Sequence, residues 1–334
     1  MEKATIKDVA KAANVSIASA SRALNGVGRI SPVTKDKILR AARELNYVPH
    51  FGARSLIRKK TDIFGVLLPD LYGEFFSELV RGVDTAARAS NYQILLSSYH
   101  NDAKETKSAI AAMRGRVDGI IVMTPYEFGE ITYSDVIGAP IVQISSLNNH
   151  GGTPIIAIDN FQGAKIATEH LLKQGYKNIA HLSGPKVNME AKERLNGYLD
   201  AIKNICPEKI YEGDFREESG FEIAEQIASD VKAGIIDAVF VANDMMAVGL
   251  INGLKEKKLK VPDDIGVVGF DNVPIGRYVT PSLTSLGVDM SQLGKKAVEI
   301  LNLLVNGKPN SADTNKLVVF TPHLFERESS IKPE

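Results

Sequence analysis

Residues Ser16–Asn25 place a single cation among unusually small side chains, reading Ser-Ile-Ala-Ser-Ala-Ser-Arg-Ala-Leu-Asn. Ser16 is a good helix N-cap because its hydroxyl can accept a bond from a free backbone N–H of the first turn. Ala20 and Leu24 are four residues apart and are predicted to face inward. The residues left on the outer face are Ile17, Ala18, Ser21 and Arg22. This bare face with one guanidinium is typical of a surface that presses into an anionic groove.

The chemistry available to this face is the recognition of base pairs. Arg22 can donate two hydrogen bonds to O6 and N7 of guanine, which discriminates against a wrong base by about 1–3 kcal/mol. Ile17 and Ala18 can contact thymine methyl groups but carry no hydrogen-bond code. Nearby polar side chains are expected to bind phosphate, which positions a protein without reading sequence. These phosphate-binding candidates are Thr5, Ser16, Ser21, Asn25 and Tyr47.

Three short helices are predicted to hold this segment in place. Thr5-Ile-Lys-Asp8 has the spacing of a capping box and begins the first helix. Asn14 can adopt the left-handed conformation of a tight turn, and Ser31-Pro32 is predicted to begin a third helix. The predicted core side chains are Val9, Val15, Ala20, Leu24, Ile38, Ala42 and Leu45. Helix, tight turn and helix indicate a helix-turn-helix. We expect a dimer to read a two-fold symmetric DNA site.

Charge is divided unevenly along the chain. The 334 residues contain 40 Lys/Arg and 40 Asp/Glu, but residues 1–60 hold 13 basic and 4 acidic side chains. This asymmetry favours a basic nucleic-acid module joined to an acidic body. The single Cys206 excludes an internal disulfide, and the chain shows neither a secretory signal nor a membrane-spanning apolar run. We therefore expect a cytoplasmic protein.

From Ile63 onward, short apolar runs alternate with amphipathic helical runs, which indicates βαβ units and parallel sheets. The predicted strands are Ile63–Leu68, Gln93–Ser97, Gly119–Met123, Pro140–Ile144, Ile155–Ile158, Ile179–Ser183, Ile236–Ala242, Ile265–Phe270, Leu283–Val288 and Leu317–Phe320. The predicted helices span 75–90, 104–115, 161–175, 191–204, 218–232, 244–258 and 290–306. A ligand crevice is expected at the carboxyl ends of the strands. No spacing indicates a metal site, a phosphate loop or a catalytic nucleophile, so we expect neither cofactor nor enzyme activity.

The chain resembles the LacI/GalR family of bacterial transcription regulators over essentially its whole length. The N-terminal motifs are Thr5-Ile-Lys-Asp-Val-Ala, Val15-Ser16, Ser21-Arg22, Leu24-Asn25-Gly26, Leu45-Asn-Tyr-Val-Pro49 and Ala53-Arg-Ser-Leu56. Those in the body include Asp159-Asn-Phe-Gln-Gly-Ala164, Arg194-Leu-Asn-Gly-Tyr198, Ala242-Asn-Asp-Met-Met-Ala247 and Val268-Gly-Phe-Asp-Asn272. The resemblance implies an all-α helix-turn-helix domain joined by a hinge helix to a two-lobed, doubly wound α/β domain like periplasmic binding proteins.

The resemblance also implies domain bounds and a hinge function. We expect the DNA-binding domain at 1–49, the hinge helix at 50–60 and the effector domain at 61–334. Its N-lobe would comprise about 61–160 and 289–322, and its C-lobe about 161–288 and 323–330. The hinge would place Ala53 and Leu56 at the DNA, with Leu56 of each subunit wedged into a minor-groove step.

The effector site is expected where strands end. Arg194, Asn243 and Asp271 match positions that bind ligand hydroxyls in sugar-responsive members, while Phe75, Phe76 and Phe215 are candidates for apolar walls. Ser145, which stands where many members have Asp, and Lys192 complete the predicted set. For Asn243 and Asp271 the alternative role is capping of the following helix or turn.

The predicted function is that of a homodimeric repressor of carbohydrate-utilisation genes, controlled by a sugar or sugar derivative. The charged segment Lys186–Glu190 and Lys192 leave a charged or phosphorylated effector open. Control by a non-sugar metabolite or a phosphoprotein corepressor is the alternative, and an enzyme or a solute-binding protein is a more distant one.

Overall fold

The computed structural model describes residues 4–26, 28–48, 60–100, 103–124, 138–145, 153–307 and 317–332. The chain divides into two compact units at residues 61 and 62. Each unit is described by itself. Among the described helices, none combines the length and apolarity needed to cross a bilayer.

The first unit contains helices α1 (Ile6–Ala12), α2 (Ile17–Asn25) and α3 (Pro32–Glu44). Their starts confirm the predicted caps. The backbone N–H and hydroxyl of Thr5 both donate to Asp8 Oδ2, at 2.8 and 2.7 Å. Ser16 Oγ accepts from Ser19 N at 3.1 Å, and Ser31 caps α3 in the same way. Local side-chain chemistry therefore sets where these helices begin.

Small side chains fill the interior of this unit. Its buried cluster is Val9, Ala10, Ala13, Ala20, Ala23, Ile38, Ala41 and Ala42. Asn14 has the predicted left-handed conformation, with φ of 51°. The prediction that Leu45 belongs to the core is wrong, since Leu45 is 36% exposed. Helix α3 ends at Glu44, so Leu45 no longer follows the helical repeat, and Tyr47 packs against the cluster instead.

The second unit contains two six-stranded sheets. The first has the order β11-β5-β4-β3-β1-β2, in which every pair is parallel. Its strands are β1 (Ile63–Leu68), β2 (Gln93–Ser98), β3 (Gly119–Thr124), β4 (Ile141–Ser145), β5 (Ile155–Ile158) and β11 (Leu317–Phe320). We call this sheet and its helices the first lobe. β3, β4 and β5 are wholly buried, as parallel strands covered on both faces must be.

The second sheet has the order β12-β10-β9-β8-β6-β7, in which only β12 is antiparallel to its neighbour. Its strands are β6 (Ile179–Ser183), β7 (Ile210–Glu212), β8 (Ala238–Val241), β9 (Gly266–Phe270), β10 (Thr284–Gly287) and β12 (His323–Phe325). We call this sheet and its helices the second lobe. β7 and β12 were not predicted, because three residues are too few to show a repeat.

Helices cover both sheets. They are α4 (Glu74–Ala89), α5 (Ala103–Met113), α6 (Asn160–Lys173), α7 (Met189–Ile202), α8 (Glu217–Glu222), α9 (Ala224–Lys232), α10 (Asp244–Glu256) and α11 (Met290–Val305). The predicted helix 218–232 is two helices, broken at Ile223. α8 lies so close to α10 that a Cβ on Gly220 would be 2.0 Å from Met246 O, and this packing sets the direction of α8.

The first prediction concerns the thin core of the first unit. Ile38→Ala should destabilise this unit by about 2–5 kcal/mol, because it removes a fully buried side chain that small neighbours cannot replace. Hydrogen exchange of peptides from α1–α3 in the intact chain would measure the loss. Val33→Ala is the matched control on the same helix, where Val33 is 70% exposed, and should change stability by no more than about 0.5 kcal/mol. Equal effects of the two changes would contradict this view of the core.

The second prediction concerns acid sensitivity of the second lobe. His181 is buried in β6, where Nδ1 lies 2.9 Å from Phe240 O, and burial lowers its pKa to about 3. In the unfolded chain the imidazole of His181 binds a proton near pH 6.5. The part of the folding stability that depends on a neutral His181 is therefore fully present above that pH. It should fall by up to about 1.4 kcal/mol per pH unit as the pH falls towards 3.

His181→Leu should remove that part of the slope. Urea unfolding of both proteins between pH 6.5 and 4.5, followed by circular dichroism, would measure the difference. Because both chains keep the same carboxyl groups, their contributions cancel in this difference. Parallel stability curves for the two proteins would show that His181 is not held neutral.

Candidate functional site

The exposed face of α2 carries four of the side chains predicted to contact DNA. Ile17 is 49% exposed, Ala18 and Arg22 are exposed, and Ser21 is half-buried. Arg22 Nε donates to Ala18 O at 3.2 Å, which holds the guanidinium along this face. The structure thus brings an arginine and two small apolar groups together on one exposed helix surface.

The other predicted DNA-binding residues have structural partners as well. The hydroxyls of Thr5 and Ser16 take part in the helix caps described above. Asn25 Nδ2 donates to Ser21 Oγ at 3.1 Å, and Tyr47 is half-buried against the core. Ala53, Leu56 and the predicted hinge helix, apart from Lys60, lie outside the described residues.

In the second unit, a cavity of about 370 Å³ lies at the carboxyl ends of strands from both sheets. Pro69 follows β1, Pro185 lies just beyond β6 and Asp271 follows β9. The lining residues are Pro69, Asp70, Tyr72, Gly73, Phe75, Phe76, Met123, Pro185, Asn188, Glu190, Arg194, Asp214, Phe215, Arg216, Asn243, Met245, Asp271 and Val273. This is where open α/β sheets bind ligands.

Arg194, on α7, is the best-anchored polar group of the cavity. It is 2% exposed, and its Nε donates to Asn160 Oδ1 at 2.8 Å. Nη1 donates to the carbonyl oxygen of Ala242. The guanidinium lies over the ring of Phe270, with 3.8 Å between Cζ and the ring centroid. These partners fix the plane of the guanidinium before any ligand binds.

Asp271 pairs with this guanidinium. Arg194 Nη2 is 3.2 Å from Asp271 Oδ1, yet the pair is not aligned as a hydrogen bond, and Oδ1 has no hydrogen-bond partner among the described residues. Burial raises the pKa of Asp271 to about 7, while the charge of Arg194 opposes that rise. Asp271 therefore keeps an acceptor that a ligand can use.

Turn capping, the alternative role of Asp271, is performed by Asp244 instead. Asp244 Oδ2 accepts from Val273 N at 2.8 Å, and Oδ1 accepts from Ser285 Oγ at 2.6 Å. Burial and the nearby charge of Asp271 raise the pKa of Asp244 well above its usual value. Because Asp244 makes these bonds, the carboxylate of Asp271 faces the cavity and does not cap the turn.

Asn243 has the capping role that the sequence left open, and its side chain also faces the cavity. It caps α10, since Oδ1 accepts from Met246 N at 3.0 Å, and it also lines the cavity. Its Nδ2 donates to Phe215 O at 2.8 Å. Phe215 has a φ of 74° and Asp271 a φ of 105°. Such conformations are disfavoured for side-chain-bearing residues and cluster at functional sites.

Six of the eight predicted effector residues line the cavity: Phe75, Phe76, Arg194, Phe215, Asn243 and Asp271. Lys192 does not, because it lies on the exposed side of α7, where Nζ is 3.9 Å from Met189 Sδ. Ser145 is also not among the described lining residues, since its buried hydroxyl donates to Thr124 O at 3.0 Å. The charge of Lys186 is directed to Glu212, outside the cavity.

The sequence prediction missed the acidic side of the cavity, formed by Asp70, Glu190 and Asp214. For Glu190 a signal existed, because it precedes Arg194 by four residues and so shares its helix face. Asp70 and Asp214 lie in loops, where no periodicity shows the direction of a side chain. The charged segment Lys186–Glu190 had left a phosphorylated effector open, but the charged side chain that it places in the cavity is the carboxylate of Glu190.

Three contacts join the two lobes beside the cavity. Tyr72 donates its hydroxyl proton to Glu217, and this bond together with burial raises the pKa of Tyr72 to about 12. Glu74 Oε2 accepts from Ile275 N at 2.7 Å, and Arg216 Nη2 is 3.7 Å from Asp70 Oδ2. Partly exposed pairs of this kind are weak, so a ligand can shift the balance between lobe arrangements.

Comparison with known proteins identifies both parts of the chain. Residues 5–50 match the family of bacterial regulatory proteins named lacI, and residues 168–330 match the periplasmic binding protein-like domain. In the part of the chain that the structure describes, no three His, Cys, Asp or Glu side chains are grouped so as to hold a metal ion.

Relatives share the full length of the chain. Catabolite control protein A of Priestia megaterium is 34% identical and is covered to 99%, over 98% of this chain. The ribose operon repressor of Halalkalibacterium halodurans is 32% identical over 91% of each protein. The HTH-type transcriptional repressor PurR of Pasteurella multocida is 32% identical over 98% of each protein.

Solved structures agree with these relatives. The lac repressor dimer bound to operator and the anti-inducer ONPF matches with a TM-score of 0.86 and 28% identity, over 99% of this chain and 100% of that one. The transcriptional regulator CelR in complex with cellobiose matches with a TM-score of 0.70 and 26% identity, over 98% and 99%. The chain therefore belongs to the LacI family of bacterial regulatory proteins and is a DNA-binding transcription regulator controlled by an effector.

Proposed function

We propose that this chain is a homodimeric repressor of carbohydrate-utilisation genes whose operator affinity is set by a polyhydroxylated effector bound between the lobes. The observation that carries the proposal is the buried Arg194–Asp271 pair facing the cavity. A guanidinium donates several bonds in one plane and a carboxylate accepts several, so together they suit vicinal hydroxyl groups. The names of the ribose repressor and of the CelR–cellobiose complex support this class of effector.

The walls of the cavity support a ring-shaped ligand. Phe75 and Phe76 meet edge to face with 5.3 Å between ring centroids, and Phe215 adds a third aromatic side chain. A few polar groups set against apolar walls are typical of small-molecule sites.

The first unit supplies the DNA contacts in this proposal. Arg22 reads a guanine in each half-site, and Ile17 and Ala18 contact thymine methyls in the major groove. Two such units, one per subunit, read a pseudo-palindromic operator. The hinge at 50–60, with Leu56 as the wedge, remains part of the proposal. An exposed arginine on a bare helix is the feature that supports this use of α2.

Control follows from a difference in affinity. An effector shifts the equilibrium between lobe arrangements only by as much as it binds one better than the other. The weak contacts between Tyr72 and Glu217 and between Asp70 and Arg216 keep those arrangements close in free energy. We place this action in the cytoplasm, on chromosomal DNA.

The third prediction tests the DNA-binding face. An operator is first selected from random duplex DNA with the intact protein. Arg22→Ala should lower the preference for that operator over random DNA by about 5- to 150-fold per half-site, while salt-dependent non-specific binding stays. Competition binding at fixed salt measures the ratio.

Arg43→Ala is the matched control for this change. Arg43 is also exposed, and its Nε makes the same bond to the carbonyl four residues back, Leu39 O, at 3.3 Å. It lies on α3 rather than on α2, so the operator preference should survive its loss. Selective binding by Arg22→Ala at the wild-type level would overturn the assignment of α2.

The fourth prediction tests the effector cavity. A thermal-shift screen of the intact protein against sugars and their derivatives should find a stabilising ligand that alters operator affinity. Asp271→Asn should reduce the affinity for that ligand by about 10-fold or more, because a charged hydrogen bond contributes about 1.5–3 kcal/mol. Calorimetric titration measures the affinity.

Asp200→Asn is the control on α7, where Asp200 pairs with Lys165 away from the cavity. It should leave ligand affinity and operator binding unchanged. Full effector response in Asp271→Asn, or a ligand whose binding leaves operator affinity untouched, would contradict the proposed site.

A further inference from the structure

The cavity contains more negative than positive side chains. Its carboxylates are Asp70, Glu190, Asp214 and Asp271, and its cations are Arg194 and Arg216. Arg194 faces Asp271 and Arg216 faces Asp70, as described above. Asp214 is exposed to water and accepts from the backbone N–H of Arg216 at 2.9 Å. The remaining carboxylate is Glu190, which shares the positive charge of Arg194 with Asp271.

Glu190 is buried, with 8% of its surface exposed, yet none of the described residues donates a hydrogen bond to it or forms an ion pair with it. It lies in the first turn of α7, one turn before Arg194. A buried carboxylate without a hydrogen-bond partner is costly, and burial accordingly raises the pKa of Glu190, while the charge of Arg194 opposes that rise.

A second acceptor faces the same space. Asp271 Oδ1 is buried without a hydrogen-bond partner among the described residues, and the charge of Glu190 helps to raise the pKa of Asp271. On this side of the cavity the one guanidinium of Arg194 faces two carboxylates, Glu190 and Asp271, so the net charge is negative. A phosphate or carboxylate on the ligand would therefore meet repulsion here.

We propose that the effector carries a protonated amine on a small polyhydroxylated ring, as an amino sugar or an aminocyclitol does, and that Glu190 binds this ammonium with Asp271 as second acceptor. An ammonium has three donors and no acceptor, and its positive charge favours the ionised, acceptor-only form of two neighbouring carboxyl groups. Phe75 and Phe76 provide aromatic surface for the ring. This inference rests on the proposed function and narrows its class of effector.

The fifth prediction uses matched ligands on the intact protein. Each probe set contains a hexose, pentose or cyclitol, its amine in place of one hydroxyl, and its phosphate ester. Calorimetry should show at least one amine that binds about 10-fold or more tightly than its hydroxyl counterpart, while the phosphate ester of that scaffold binds more weakly than both. That amine should also change operator affinity.

Glu190→Gln should lower affinity for this amine by about 10-fold or more and change affinity for its hydroxyl counterpart by less than about 3-fold. Asp200→Asn is the matched control, a carboxylate-to-amide change on the same helix at a residue that pairs with Lys165 and does not line the cavity. It should leave the ratio of the two affinities unchanged. Operator binding by both variants establishes that they are folded.

The outcomes separate this inference from the function on which it rests. Tighter binding of the neutral or phosphorylated probes, or an unchanged affinity of Glu190→Gln for the amine, would contradict the proposal that the effector is an amine. The proposal of a carbohydrate-controlled regulator would stand. Failure of every probe to bind and to alter operator affinity would overturn the carbohydrate function itself, and the amine with it.

Discussion

The cavity of the second unit depends on the buried guanidinium of Arg194. Removing such a charge from water costs several kcal/mol unless it is paired and hydrogen-bonded. Its partners are Asn160 at the end of β5, Ala242 at the end of β8 and Asp271 at the end of β9. Because one rigid planar group donates hydrogen bonds to the first two and forms an ion pair with the third, the ends of strands from both sheets are held in a common arrangement. The cavity therefore has its shape before any ligand binds.

The same network explains why strained backbone persists around the cavity. The left-handed conformations of Phe215 and Asp271 cost of the order of 1–3 kcal/mol each. Asn243 holds the carbonyl of Phe215, and Asp244 caps the turn after Asp271. With these tasks given to neighbours, Asp271 presents its carboxylate to the cavity. The arrangement trades local backbone stability for preorganised ligand acceptors, as binding sites commonly do.

The DNA-binding part of the chain and the rest of the chain differ in the sign of their net charge. Residues 1–60 are strongly basic and the remainder is acidic. Attraction to phosphate therefore belongs to the first unit, while the cavity of the second has more carboxylates than cations. A nucleic-acid surface and a cavity of opposite sign do not compete for the same ligands. The partly exposed contacts between the lobes, Tyr72–Glu217 and Asp70–Arg216, are weak. Little free energy is therefore lost when these contacts break and the lobes change their arrangement.

Much of this protein was determined by local sequence. Caps at Thr5, Ser16 and Ser31, and the alternation of buried strands with helices, depend on neighbours a few residues apart. They therefore predicted both the helix-turn-helix and the α/β body. Arg194 and Asp271 were also predicted, through motifs that surround each of them. Leu45 was misplaced because a helix end is decided by packing, and the break at Ile223 depends on how closely α8 meets α10.

Only the tertiary structure decided which charges face the effector. Lys192 and Glu190 are two residues apart on one helix, yet rotation of that helix against its lobe turns the lysine to water and the carboxylate to the cavity. Asp70 and Arg216 are remote in sequence and approach each other because the lobes do. Local pattern sets where elements begin and end. The net charge of the cavity depends on which face of each helix the sheets cover, and that is decided only in the assembled fold.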